Sequence, residues 1–345
     1  MRIIFMGSPA EVVAPLRLLY ERTLNHQSTG ASTGASTDGG QKSALCLELV
    51  GVVSQPARPS GRGAKVEDPP VAVFAKSRQI KCLQPEKSRS PEFLQELSDL
   101  KPDVIVTAAY GQILSDSLLS IPKIGTINIH PSRLPEYRGA TPVPAALLDG
   151  LSSTAVTILF TIKKLDAGNI ILQKDFTIEP AETSGHLTSR LFEASGEMLL
   201  ETLQKLASDI TFKGTPQVDE NSSTCKKIDK EMGAIDWSQQ AKTIVNRYRA
   251  FEPWPGSWSQ LSERRVNITE MHLNLAESRA QAAGLVQFDK PSRSLIVHCG
   301  GGTVAISRVK PAGGKDMDAG SFWNGLKDKN NVMFITPPKP VVEGA

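Results

Sequence analysis

Short apolar runs spaced by helical patterns restrict the first part of this chain to few folds. Ile3–Met6, Leu47–Val53, Ile80–Leu83, Val104–Ala108 and Gly125–Ile129 each read as a strand, with helices expected at Val71–Arg78 and Pro91–Leu100. Ser8-Pro9-Ala10-Glu11 fits a helix start, with Ser8 as N-cap, Pro9 in the first turn and Glu11 closing a capping box. Strands alternating with helices imply a parallel, doubly wound α/β sheet. Such a sheet takes its ligand in the crevice beyond the carboxyl ends of its strands. The loops there carry Gly7-Ser8-Pro9, Ser54-Gln55-Pro56, Tyr110-Gly111 and His130. The first loop is not GxGxxG, which disfavours nicotinamide or flavin chemistry.

At 345 residues the chain is longer than one ordinary domain. Residues 1–212 are expected to form a catalytic domain, 213–224 a polar linker, 225–335 a second domain and 336–345 a disordered tail. Asn25–Lys42 repeats Ser-Thr-Gly-Ala in tandem, too small in side chain to build a core, so about 25–42 reads as a flexible insertion. Beyond the linker lie a helix near Gln239–Tyr248 and strands at Gly284–Phe288, Ser294–Cys299 and Thr303–Val309, the last two joined by a Gly300-Gly301-Gly302 turn. A small β-barrel of the oligonucleotide-binding type fits that pattern, though the pattern does not single it out.

No apolar run approaches the roughly 20 residues needed to span a bilayer, and the N-terminal segment lacks signal- or transit-peptide character. The expected compartment is the cytoplasm. Cys46, Cys82, Cys225 and Cys299 stand singly, without zinc spacing, and read as reduced thiols. The net charge of +3 is uneven: residues 1–210 are close to neutral and the remainder carries the basic excess. That excess is an ordinary solvated surface unless other features call for a polyanionic partner.

The run most suggestive of chemistry is Asn128-Ile129-His130. Its two polar side chains alternate at a strand end and share a face. An amide donor can hydrogen-bond a carbonyl oxygen as it becomes an oxyanion, and an imidazole can donate to it or shuttle a proton. Either residue alone is more often a satisfied structural group. Position, pairing and the prolines 131 and 135 that stiffen the next loop favour acyl transfer. Val156, Ile158, Phe160 and Ile162 alternate as a strand and Ile170–Leu172 begins another, which puts Asp166 in a hairpin turn. Aspartate before Ala-Gly is commonly a plain turn former. No nucleophile elbow accompanies these runs, so a covalent hydrolase is not suggested.

Asn-x-His-x-Ser-x-Leu-Pro-x-x-Arg-Gly at 128–139, with Thr157 and Leu165-Asp166-x-Gly168, resembles the signature of formyltransferases that use 10-formyltetrahydrofolate. Gln55–Gly63, Ile235-Asp236-Trp237, Arg249–Pro255 and Lys310–Lys315 resemble the methionyl-tRNA formyltransferase branch, and the resemblance runs nearly the whole chain. It implies that Asn128, His130 and Asp166 form the catalytic trio. By the same resemblance Ser132, Arg133, Leu134 and Pro135 line a folate pocket, with Tyr110 and Gly111 nearby. The loop bearing Arg58, Arg62 and Lys65 would reach the acceptor stem of initiator methionyl-tRNA, with Arg62 the key contact. The barrel's basic face, through Lys226, Lys227, Arg247, Arg308 and Lys310, would meet its phosphates. Three departures stand out: Arg133 replaces the usual Leu, Ala57 replaces a common acidic residue, and the Ser-Thr-Gly-Ala insertion has no counterpart.

The implied reaction needs no metal and a monomer suffices. A fraction of the acceptor's α-amine, with a pKa near or below the ordinary range of about 7.7–8.0, is neutral at pH 7 and attacks the formyl carbon. Asn128 and His130 would hold the oxyanion, while Asp166 orients His130 or a water and helps move the amine proton to N10 of the folate. Competing expectations are formyl transfer to an amino sugar or glycinamide ribonucleotide, hydrolysis of the donor, and a catalytically dead folate- or RNA-binding module. The linker and second domain weigh against the glycinamide type, and Phe251–Pro255 favours tRNA.

Overall fold

The computed structural model describes residues 1–29, 46–60, 65–276 and 281–337. Most of the expected insertion, Arg62 and the last residues of the expected tail lie outside these. Along the chain come β1 (Arg2–Gly7), α1 (Val13–Thr29), β2 (Glu48–Val53), β3 (Arg58–Ser60), β4 (Lys65–Glu67), α2 (Pro70–Ser77) and β5 (Cys82–Leu83). Then follow α3 (Pro91–Asp99), β6 (Val104–Ala108), α4 (Asp116–Leu119), β7 (Gly125–His130), β8 (Arg138–Gly139), α5 (Pro142–Leu148), β9 (Ser153–Phe160), β10 (Ile170–Thr177) and α6 (Ser184–Ser208). The remainder holds β11 (Thr224–Cys225), α7 (Ala241–Phe251), β12 (Ser257–Leu261), β13 (Arg264–Asn274), β14 (Val286–Asp289), β15 (Ser294–His298), β16 (Thr303–Pro311), β17 (Met317–Asp318), α8 (Ala319–Asn324) and β18 (Phe334–Ile335).

These residues group into two compact units. Met1–Gly139, Ser153–Phe176 and Thr188–Thr224 form the first; Ala140–Ser152, Thr177–Leu187 and the chain from Cys225 onward form the second.

The first unit is built on a sheet of order β10-β9-β7-β6-β1-β2-β5. β1 and β6 are near-continuous apolar runs whose Ile3–Met6 and Val104–Val106 are fully buried, as strands covered on both faces must be. β5, β2, β1, β6 and β7 pair in parallel, in register Ile3↔Val104 between β1 and β6 and Thr107↔Asn128 between β6 and β7. The sheet is mixed rather than wholly parallel, because β9 runs antiparallel to β7, with His130 opposite Thr157. From β1 the chain builds outward through β2 and β5, then returns to lay β6 and β7 on the other side. The switch point therefore lies between β1 and β6, where such sheets bind ligands.

The expected helix start at Ser8 is not used; α1 begins at Val13. The Ser8 hydroxyl instead accepts from the Gln55 amide N–H (3.1 Å) and faces the Tyr110 carbonyl (3.5 Å), so it joins three strand-end loops instead of capping a helix. Gln55 adds a bond from Nε2 to the same carbonyl (2.9 Å). A side chain on Gly7 would meet the Ala108 carbonyl at 2.8 Å, so the close approach of β1 to the end of β6 requires glycine there.

In the second unit, β14-β15-β16-β13-β12-β18 form an antiparallel half-barrel, with β17 on β16. The Gly300–Gly302 turn closes the β15–β16 hairpin as expected. β12 and β13 were not legible in the sequence; polar and apolar residues mix along them, and of Arg264-Arg265-Val266-Asn267-Ile268 in β13 only Val266 and Ile268 are buried. Trp237 anchors the core: it is 1% exposed, stacks on Phe334 at 5.7 Å and donates from Nε1 to Ser259 Oγ (2.9 Å).

Candidate active site

The site grows from the carboxyl end of β7. Because β7 pairs with β6 on one side and β9 on the other, Asn128 faces Thr107, and His130 lies opposite Thr157. Thr107 Oγ1 donates to Asn128 Oδ1 (2.8 Å), which turns the amide so that Nδ2 points to Asp166 Oδ1 (3.4 Å). His130 is 4% exposed. Its Nε2 lies 3.0 Å from the Tyr137 carbonyl, and a carbonyl can only accept, so Nε2 carries the proton. Nδ1 then faces Asp166 Oδ2 at 3.7 Å. Asp166 Oδ2 also accepts from the backbone N–H of Gly139 (2.8 Å). The three expected residues thus converge on one spot, two on a strand and one on a turn.

Thr157 shapes the loop behind them. Fully buried, it donates to the Ser132 carbonyl (2.7 Å) and accepts from Gln173 Nε2 (2.7 Å) and the Leu134 N–H (3.4 Å). Ser132 is equally buried and gives its hydroxyl proton to the Glu136 carbonyl (2.7 Å). Leu134 is buried and precedes Pro135 through a cis bond. Arg133, half-exposed, pairs with Asp175 at 2.6 Å. Tyr110 is buried, its hydroxyl has no hydrogen-bond partner among the described residues, and burial pushes that hydroxyl up to about 12. Gly111 follows with φ +87°, and Ile113 beyond it is 93% exposed. Leu165, beside Asp166, is also exposed.

Gln217 was not singled out from the sequence, yet it reaches the site. Its Nε2 donates to the carbonyls of Asp166 (2.8 Å) and Gly168 (2.7 Å). Its Oε1 accepts from Arg138 Nε (3.1 Å) and Nη2 (2.7 Å). No local pattern could have found it, because a glutamine in a polar stretch has no signature until the chain returns to the turn.

The basic residues expected at tRNA fall into two groups. Lys65, Lys226, Lys227 and Lys310 are exposed, as is Arg58, which pairs with Glu86 at 3.3 Å. Arg247 instead donates to the Met232 carbonyl (2.7 Å), and its guanidinium lies 5.0 Å from the Phe251 ring centre. Arg308 is engaged by Asp316 through Nε (2.9 Å) and Nη2. Among the described residues, no group of three or more His, Cys, Asp or Glu is arranged to hold a metal ion, and no helix is long and apolar enough to cross a membrane.

Comparison with known proteins shows the family. The formyl transferase family matches residues 26–203, and the formyl transferase C-terminal domain matches residues 227–327. Methionyl-tRNA formyltransferase of Listeria welshimeri is 39% identical over 94% of this chain and 95% of that protein. The protein of that name from Alkaliphilus metalliredigens is 35% identical over 97% and 98%. Among solved structures, an N-formyltransferase from Helicobacter canadensis, in complex with folinic acid and dTDP-3-aminofucose, superposes with a TM-score of 0.61 at 17% identity, over 88% of this chain and 98% of that one. HypX from Aquifex aeolicus in complex with tetrahydrofolic acid gives 0.58 at 17% identity, over 97% and 50%. At those identities the structures establish a common fold, while the two sequence relatives extend over nearly the full length. The chain belongs to the methionyl-tRNA formyltransferase family.

Proposed function

We propose that this protein transfers the formyl group of 10-formyltetrahydrofolate to the α-amino group of initiator methionyl-tRNA, with Asn128, His130 and Asp166 at the reaction centre. The convergence of an amide N–H, an imidazole and a carboxylate at the end of β7 carries this reading. The setting suits a folate: exposed Ile113 and Leu165 offer apolar surface on loops leading from β6 and β9. Ser132–Pro135, tied down by Thr157, would form the wall beyond.

Asn128 Nδ2 donates to the formyl oxygen as negative charge gathers there, the step at which a fixed dipole contributes most. The new bond joins the α-nitrogen to the formyl carbon; the bond that breaks joins that carbon to N10. The proton shed by the α-nitrogen finds Asp166 and His130 Nδ1 side by side and passes to N10, so charge and atoms balance. Protonated at Nδ1, His130 can also donate to the oxyanion. Arg58, Lys65, Lys226, Lys227 and Lys310, with Arg62 by resemblance, would meet phosphates of the tRNA. The expected working state is a cytoplasmic monomer of a catalytic and a tRNA-supporting domain.

The test is an acceptor series: purified protein, 10-formyltetrahydrofolate, and methionyl-tRNA against free methionine, an amino sugar and water. Formylation confined to methionyl-tRNA is expected; preferential turnover of any other acceptor would overturn the assignment.

A further inference from the structure

We propose that Gln217 is a positioning residue for Asp166, holding the catalytic turn through its side-chain amide while Arg138 holds Gln217. This rests on the assignment of Asp166 made above. The turn needs holding. Asp166 has φ +48°, in the left-handed region that costs a non-glycine residue on the order of 1 kcal/mol. Its backbone is free to relax unless something outside the hairpin fixes it. Gln217 supplies two bonds to that backbone, on the carbonyls of Asp166 and Gly168, which flank Ala167.

The other end of the amide is fixed as firmly. Arg138 is 5% exposed and gives two N–H groups to Gln217 Oε1 and a third to Asp219 Oδ1 (2.8 Å). Asp219 Oδ2 is in turn bound by Lys164 Nζ (2.5 Å), two residues before Asp166. Arg138 neighbours Gly139, whose N–H binds the Asp166 carboxylate itself. One short stretch thus reaches both the carboxylate and, through Gln217, the backbone that carries it.

The segment bearing Gln217 is pinned where it must be. Thr215 and Ile170 exchange both backbone hydrogen bonds at 2.8 Å, and Asn169 Nδ2 donates to the Lys213 carbonyl (2.7 Å). Residues 213–217 therefore cross the hairpin just after its turn. Val218, Asp219 and Glu220 are exposed, while Gln217 turns inward. A stretch expected to be only a linker delivers one side chain to the reaction centre.

The decisive variant is Gln217→Glu, which keeps an acceptor for Arg138 and removes both amide hydrogens given to the turn. A role confined to pairing with Arg138 survives this change; positioning of Asp166 does not. Misplacing a catalytic group by about 1 Å can cost up to 10²-fold, so kcat should fall about 10- to 100-fold with 10-formyltetrahydrofolate and methionyl-tRNA. KM for methionyl-tRNA and Tm should stay near wild type. Gln217→Leu, which loses both sets of bonds, should be at least as slow. A kcat for Gln217→Glu within about twofold of wild type, or a loss expressed in KM alone, overturns the proposal. Asp166→Asn is measured in parallel: if it retains full turnover, the assignment of Asp166 fails. If it is slow while Gln217→Glu is not, only the positioning role fails.

Discussion

Gly168 shows how little freedom the turn bearing Asp166 has. A β-carbon there would lie 1.8 Å from the Phe160 carbonyl oxygen, which is backbone and cannot swing aside. Gly168→Ala must therefore push the turn away from β9 and carry Asp166 with it. We expect a large drop in kcat with a lowered Tm, measured on the same preparation; wild-type values of both would show that the hairpin accommodates the methyl group. Asn128→Ala should behave differently. It truncates a half-buried polar side chain outside the apolar core, so Tm should change little while kcat falls about 10²–10³-fold, the usual cost of one oxyanion donor, about 3–4 kcal/mol. Wild-type turnover in that variant would remove Asn128 from the reaction centre. The two substitutions separate geometry from chemistry at positions that both meet Asp166 or its turn.

At the scale of elements, α8 offers a test that titrates. Asp318 caps it, accepting from the Ser321 N–H (2.9 Å) and hydroxyl (2.7 Å). The bond from the Ser321 side chain, then that from its backbone, brings the carboxyl down to about 2. A carboxyl depressed on folding adds stability above its unfolded pKa of about 3.9 and loses it as pH falls toward the folded value. Asp318→Asn keeps an acceptor but removes the charge, so its acid-unfolding curve should lose the component between about pH 4 and 2; an unchanged curve by circular dichroism would reject the cap's role. Elements with strong local signals were the ones legible beforehand. β1 and β6 announce themselves as unbroken apolar runs, and the Gly300–Gly302 turn by composition. Ser8 misled because its hydroxyl is claimed by Gln55 and Tyr110 from other strands. Asn128 and His130 could be proposed because motif and strand-end position coincide, and Asp166 because the motif includes a residue that position alone reads as a turn former. Gln217 could not, since its partners lie 51 and 49 residues away in sequence.

For the whole molecule, the charge distribution bears on how a polyanion would be held. The basic excess lies beyond residue 210, yet basic side chains there are not equivalent. Arg308 is neutralised by Asp316, and Arg247 supports the fold through the Met232 carbonyl. Lys226 and Lys227 are exposed and consecutive. Phosphate contacts release counterions, so the slope of log affinity against log salt counts them at about 0.7–0.9 per contact. Replacing both lysines by alanine should weaken methionyl-tRNA binding and flatten that slope by about 1.4–1.8, with kcat at saturating tRNA unchanged. Arg308→Ala, whose charge is already paired, should leave the slope near wild type, and Arg247→Ala should lower Tm instead. A salt series of equilibrium titrations decides it. Parallel lines for wild type and the double lysine variant would place the phosphates elsewhere, on the Arg58–Lys65 side of the chain or on Lys310.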